Sequence, residues 1–499
     1  MRKLGLLAVA MVAAGTATGF AGAAHAQQRD TLALGLGLEP PHLDPTAGAA
    51  AAIDEVTYRN VFEGLTRIDE KGSVQPGLAE SWEVSPDGLT YTFRLRDGVT
   101  FHDGTTFDSA DVKFAYDRAR GPDSVNAQKG YFAAIDTIET PDPRTVVVRL
   151  SRPDGLFLFN MGSGDASIVA PESAAGNGQN PVGTGPFRFG RWVPGDRVVL
   201  TANPDYREPG LPHLREVTFR FIADPAAQLN AVRSGDLDAF PIFGATESVA
   251  LLEGDPQFQV VAGTTEGETI LAFNHSRPPF DDVRVRRAIA HAIDRQEVVD
   301  GAMFGYGTPI GSHFAPHREG YVDLTGTYPP DLDAAKALLR EAGVPDGFKT
   351  TIKLPPPPYA RRSGEIIAAQ LARVGIEAEL IPVEWAQWLE QVFRGGNDFD
   401  MTIVAHVEPL DLDIYNRPDY YFNYHGDRYA EVMAELERTV DPAARNELYG
   451  QAQRILAEDA ASGFLFQLPK VGVRRAGIEG MWDNAPVPAN DMTEVRWTE

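Results

Sequence analysis

The chain contains no cysteine. That absence excludes disulfides, thiolate-ligated metals and thiol catalysis, and also the lipidated N-terminal cysteine that tethers many secreted receptors. Long apolar runs are lacking as well: beyond residue 26 there is no stretch of about 18 apolar residues, so nothing there is expected to span a bilayer. Cations are few beside anions, 45 Lys and Arg against 70 Asp and Glu, for a formal net charge of −25. Such a balance argues against nucleic acid or an anionic membrane as a partner and suits a soluble secreted protein. No internal repeat or low-complexity tract is present, and 499 residues are enough for two or three cores.

Catalytic signatures are missing too. There is no His-Glu-x-x-His, Ser163 in Met161-Gly162-Ser163-Gly164 lacks the glycine pattern of a nucleophile elbow, and no acid, base and nucleophile assemble. The chain therefore reads as a non-enzyme without catalytic residues; a secreted hydrolase is the alternative from another class, and chromogenic esters or peptides would separate the two. His313 and His317 have the spacing of metal ligands, but Pro316 opposes the helix that would align them, so no metal or other cofactor is expected. Gly35-x-Gly37 has no third glycine and is followed by Pro40-Pro41, which excludes a dinucleotide loop. In Pro181-Val182-Gly183-Thr184-Gly185-Pro186-Phe187 no lysine follows and Pro186 has no N–H to offer a phosphate, so the segment reads as a structural turn.

Among the features that are present, the first is a secretory signal over residues 1–26: Arg2-Lys3, an apolar stretch from Leu4 to about Ala14, and Ala24-His25-Ala26 as a cleavage site before Gln27. Its removal takes two cations and no acid, leaving the remainder more negative still. A freely diffusing periplasmic protein, expected to be a monomer, is the implied state.

The densest pattern runs from Gly77 to Arg118. Ser85-Pro86-Asp87-Gly88 makes a turn, and Leu89, Tyr91, Phe93 and Leu95 alternate with Thr90, Thr92 and Arg94 as in a half-buried strand. Phe101-His102-Asp103-Gly104 turns again, and Asp108 to Val112 opens a helix. The order Gly-Leu-Ala-Glu-Ser-Trp, Asp-Gly-x-Thr-Tyr-Thr-Phe, Phe-His-Asp-Gly closely resembles the signature of the family 5 extracellular solute-binding proteins, the peptide, dipeptide and nickel receptors of ABC importers. Asn60-Val-Phe-Glu-Gly64-Leu65, the Pro181–Phe187 turn and Pro278-Pro279-Phe280-Asp281-Asp282-Val283-Arg284-Val285-Arg286 resemble the same family. Residues 56–65 are read as a short helix.

The resemblance implies an α/β, two-lobed periplasmic-binding-protein fold with an extra module inserted in the first lobe and a hinge of two chain crossings. Lobe I is expected over residues 27–272 and 475–499, with the module at about 48–182, and lobe II over 273–474. Alternating helices and strands from Asp331 to Ala405 independently suggest parallel β-α-β units, whose ligands sit beyond the carboxyl ends of strands. Asp282 and Asp441 are read as helix caps, and Arg286, Arg287 and Arg295 as a solvated face or inter-element pairs.

The implied function is that of a receptor binding a peptide or peptide-like solute between the lobes and delivering it to an ABC permease. An opine, modified amino acid, oligosaccharide or metal chelate is the alternative ligand. Five ligand-binding residues are implied. Glu39 falls where the oligopeptide branch has a cleft acid, and Trp385 where the family has a pocket tryptophan, with Trp388 one turn on. His406, Glu408 and Asp411 occupy the loop where peptide binders carry a Trp and an Asp for the α-ammonium. His406 has replaced that Trp. Leu354 stands where the dipeptide branch has an arginine for the ligand carboxylate, which weakens the case for a plain dipeptide.

Overall fold

In the computed structural model residues 29–48, 50–393 and 398–498 are described; the signal read over residues 1–26 lies outside them. Eleven strands form one continuous sheet. Its first part joins Thr31–Leu36 in parallel to Glu216–Phe221, with Arg197–Ala202 and Phe187–Val193 added antiparallel. Its second part holds Phe348–Leu354 between Ile376–Pro382 and Met401–His406, all parallel. Helix Pro358–Ala372 connects the first two of these strands, giving the expected β-α-β unit. Met401, Thr402 and Ile403 are fully buried on alternating faces, as befits a parallel strand covered on both sides.

Two long antiparallel strands, Phe258–Phe273 and Ser462–Arg475, tie the parts together. Near one end Ser462–Arg475 pairs with Ala239–Phe240, and near the other Met401–His406 pairs with residues 268–273 of the first. The pairing of the two strands shifts register between Thr264 and Glu268, opposite Pro469 and Gln467. A bulge there bends the strand and re-aims its side chains. The expected lobe limits, 272/273 and 474/475, fall at the far ends of these strands, whereas the change of partners lies in their middles. At that point the C-terminal segment clamps the strand, with the Thr264 N–H donating to Asn484 Oδ1 (2.9 Å) and the Ala485 N–H to Thr264 O (2.9 Å).

A separate four-stranded antiparallel sheet, in the order Ala79–Val84, Thr90–Leu95, Thr145–Leu150, Ile135–Asp142, lies within residues 48–182 beside helix Ser109–Arg120. Tyr91, Phe93 and Leu95 are buried, and Gly88 closes the turn at φ +69° with its N–H on Ser85 O (2.8 Å). The helix read over residues 56–65 is instead Ala51–Thr57. It stops because Arg59 turns to φ +68°, and the Asn60 and Val61 carbonyls accept from the Phe187 and Gly185 N–H groups, both at 2.9 Å. A Cβ on Gly183 would sit 2.0 Å from Val61 O, so the Pro181–Phe187 turn needs glycine for backbone approach. Glu63 completes this node, accepting from Arg207 (2.6 and 2.7 Å) and Thr184 Oγ1 (2.9 Å).

The arginines of helix Val283–Ala292 serve as inter-element ties. Arg286 donates to the carbonyls of Ala460, Phe280 and Asp459, and Arg287 to that of Glu458. His102 fixes the same node as Glu63: Nε2 donates to Gly185 O (3.0 Å) and Nδ1 accepts from the Gly183 N–H (3.3 Å). Both nitrogens are used by the neutral ring, and burial pushes its pKa down to about 4. An unfolded histidine titrates near 6.5, so between about pH 6.5 and 4 the unfolded chain binds the extra proton and stability falls as pH drops, by up to ~1.4 kcal/mol per pH unit. The His102 ring is expected to show no protonation above pH 5 in an NMR titration. In His102→Gln the stability-versus-pH slope in that window should lose up to one proton.

Candidate functional site

Strand Met401–His406 delivers its last residue to the point where the long strands change register. Glu268 lies opposite His406 on one side and Gln467 on the other. The chain then forms an exposed loop, Val407 and Glu408, and turns back at Leu410, which holds φ +58°. Left-handed backbone at a branched apolar residue is uncommon and strained, a feature that clusters at ligand loops. The strain is supported by packing, because Leu410 touches the buried cluster of Tyr415, Phe422 and Leu448 and also one containing Tyr58 and Phe159.

The turn returns Asp411 beneath the loop. His313 Nε2 donates to Asp411 Oδ1 (2.8 Å), and His406 Nδ1 stands 3.8 Å from Oδ2. Burial raises the Asp411 carboxyl, but His313 and His406 outweigh it and hold the group below the usual carboxylate range. Glu268 has no such help: burial, then Asp411 and Glu266, push it well above the usual range. His406 is pushed down to about 4 by burial. Its ring stacks on Tyr421, whose hydroxyl lies 3.1 Å from Nε2. Aromatic contacts continue through Tyr420, Phe393 and Trp388 to Trp385.

Carboxylates distant in the chain act on one phenol. Tyr131, half-buried on the 3-10 turn Lys129–Phe132, is pushed up to about 12 by burial and then by the charges of Asp165, Glu408 and Asp54. Asp165 is itself raised to about 6 by burial, and Asp54 rises through burial and Asp165. Among the described residues the Glu408 carboxylate bonds just the Val407 N–H (3.2 Å). Beside Leu410 a cavity of about 580 Å³ opens between Trp82 and Phe159 on one side and Arg318 and Tyr449 on the other.

The sequence-derived residues divide accordingly. His406, Glu408 and Asp411 come together, but Glu408 is exposed while Asp411 is enclosed by two histidines. Trp385 is 43% exposed, whereas Trp388 is core, donating from Nε1 to Thr402 Oγ1 (2.9 Å). Glu39 is engaged elsewhere: it accepts from Trp192 Nε1 (3.0 Å) and the Gly195 N–H (2.9 Å), closing the Phe187–Ala202 hairpin. Leu354 belongs to the core. His313 and His317 part company, His317 lying 2.7 Å from Glu266 Oε1. Sequence reasoning missed Glu268, Tyr131, Asp54, Asp165 and the Tyr420-Tyr421 pair. A usable signal for the first was two acids flanking Gly267 in an otherwise apolar strand end. For metal or cation binding, Glu268, His313 and Asp411 bring one donor atom each within 4.8 Å of one another, as do His406, Glu408 and Asp411.

The sequence model for bacterial extracellular solute-binding proteins, family 5, matches residues 73–427. The glutathione-binding protein GsiB of Escherichia coli O1:K1 / APEC is 30% identical over 495 residues, covering 95% of this chain and 95% of its own. The periplasmic binding protein DppA of Helicobacter pylori, in complex with the peptide STSA, superposes with a TM-score of 0.72 at 26% identity, covering 95% of this chain and 99% of that one. The PBP AgaA of A. tumefacien R10, in complex with agropinic acid, gives 0.70 at 28% identity over 94% of this chain and 99% of that one. Across the described residues no helix is long and apolar enough to cross a membrane.

Proposed function

Because this chain belongs to the bacterial extracellular solute-binding proteins of family 5, receptors of ABC importers with the two-lobed α/β fold, we propose that it captures a peptide or peptide-like solute carrying a free ammonium. The solute sits in the inter-lobe cleft, and the loaded protein delivers it from the periplasm to its permease without turning it over. The observation that carries this reading is Glu408, an exposed carboxylate on the loop after Met401–His406 whose charge acts on Tyr131 together with those of Asp165 and Asp54. A cation placed there meets Glu408 from one side and Asp54 and Asp165 from the other, and draws those acids toward their charged forms. The cavity beside Leu410 has the size of an ordinary small-ligand site and receives the rest of the molecule. Relatives named for glutathione and for a bound peptide support the class. A second reading, an opine or modified amino acid, is favoured by Leu354 in the core where an arginine for a carboxylate was sought, and by the agropinic acid relative.

Native mass spectrometry of the purified protein, followed by a melting screen with peptides, glutathione and opines, tests the proposal. A true ligand at a hundred times its Kd is expected to stabilise the fold by about 2.7 kcal/mol and to be recovered unchanged. If no class shifts the melt, or if the hit is consumed, the receptor reading fails.

A further inference from the structure

The buried group beneath the Glu408 loop holds more polar atoms than the protein satisfies. Glu268 is 3% exposed and His313 1%, yet Glu268 Oε2, His313 Nδ1 and Asp411 Oδ2 have no hydrogen-bond partner. Gln467 Oε1, directly across the register from Glu268, has none either. Unpaired buried acceptors are costly, and native proteins meet them with a partner, a water or an ion. The charges point the same way. Arg318 is taken by Glu266 at 2.8 and 3.0 Å, and the two remaining carboxylates, Glu268 and Asp411, bring an oxygen each within 4.8 Å of one another and of a His313 nitrogen.

We propose that Glu268, His313 and Asp411 hold a resident divalent transition-metal ion of the zinc type, with His406 beside Asp411 available as a fourth ligand. Two carboxylates neutralise a divalent ion, and mixed imidazole and carboxylate donors suit zinc or cobalt rather than calcium or magnesium, which take oxygen ligands. The hydrogen bond between His313 Nε2 and Asp411 Oδ1 is of the kind that metal binding replaces: the neutral ring carries its proton on Nδ1 instead, and Nε2 and the carboxylate are free to ligate. Burial separates this site from solute binding: a bare ion fits among side chains exposed by less than a tenth, whereas a chelate would need the open cleft. The ion ties the start of the 3-10 helix Asp411–Asn416 to the hinge strand and so fixes the Glu408 loop from below.

The test uses the full secreted chain, stripped with EDTA and titrated with ZnCl2 or CoCl2 alone, without solute, so that its outcome is independent of what the receptor transports. One zinc per chain is expected to survive gel filtration, and Co²⁺ should give the visible absorption of a site with nitrogen and oxygen ligands. Glu268→Gln and His313→Gln are expected to weaken binding at least tenfold, while Asp419→Asn, which removes an exposed charge outside the group, changes it less than twofold. Circular dichroism checks folding; if His313→Gln does not fold, the near-isosteric Glu268→Gln and the cobalt spectrum of the parent decide. No ion retained by the folded parent overturns the proposal, as does loss of the ion in Glu408→Gln with full retention in Glu268→Gln.

Discussion

Glu63→Leu is expected to cost the folded protein about 3–5 kcal/mol, the usual consequence of leaving one partner of a buried ion pair alone. Glu63 and Arg207 are joined bidentately at 2.6 and 2.7 Å, with side chains 2% and 11% exposed. Burial raises the Glu63 carboxyl, but Arg207 outweighs it, so the group stays ionised well into acid. Removing Glu63 also strands one contact of Tyr206 and the Thr184 hydroxyl, which lies in the turn that receives the Asn60 and Val61 carbonyls. Replacing both partners, as in Glu63→Leu with Arg207→Met, should recover much of the loss, because two apolar groups carry no desolvation penalty. Urea unfolding at neutral pH followed by tryptophan fluorescence measures both variants. A single variant as stable as the parent, or a double variant worse than the single, would show that the pair contributes little.

The same node explains why the fold was legible. Asn60 to Leu65, Phe101 to Gly104 and Pro181 to Phe187 resemble one family, and in the structure they meet: Gly183 and Gly185 press on the Val61 and Asn60 carbonyls, and His102 bonds both glycines. Asn60 also reaches the returning C-terminal segment, donating to Asn490 O (2.8 Å) and accepting from the Met492 N–H (3.0 Å). A turn needing glycine and an amide bridging three segments restrict sequence strongly, so such positions announce themselves. The same restriction ends the helix at Thr57 rather than carrying it over residues 56–65, because the backbone beyond is committed to long-range bonds.

Position along the chain singled out the loop at residues 406–411 as a candidate, because a buried strand in an α/β lobe presents ligand residues just past its carboxyl end. Position could not tell Glu408 from Asp411. Which acid is exposed depends on the left-handed turn at Leu410 and on His313, nearly a hundred residues away in the chain, neither of which has a local signature. Glu39 shows the same limit of position: its carboxylate bonds Trp192 and Gly195, a contact visible only once the hairpin is built.

Glu408→Gln is expected to lower affinity for the solute by about ten- to a hundredfold, the loss of one charge-assisted hydrogen bond to an ammonium. Folding should be untouched, since the carboxylate is exposed and its bond to the Val407 N–H is one that glutamine can keep. Asp411→Asn is no control for a lost negative field, because Asp411 is buried against His313 and its replacement disturbs the loop's support. Asp419, exposed on the segment that follows, serves instead: Asp419→Asn removes the same charge from the surface, where salt screens it, and should change affinity less than twofold. Raising the ionic strength should weaken the parent's binding modestly and that of Glu408→Gln less, since the anchored charge pair is partly desolvated when the lobes close. Calorimetric titration with the solute found in the melting screen reads all three proteins. Equal and small effects from Glu408→Gln and Asp419→Asn would move the ammonium site to the acids of the other lobe, Asp54 and Asp165, and leave Glu408 a solvated loop residue.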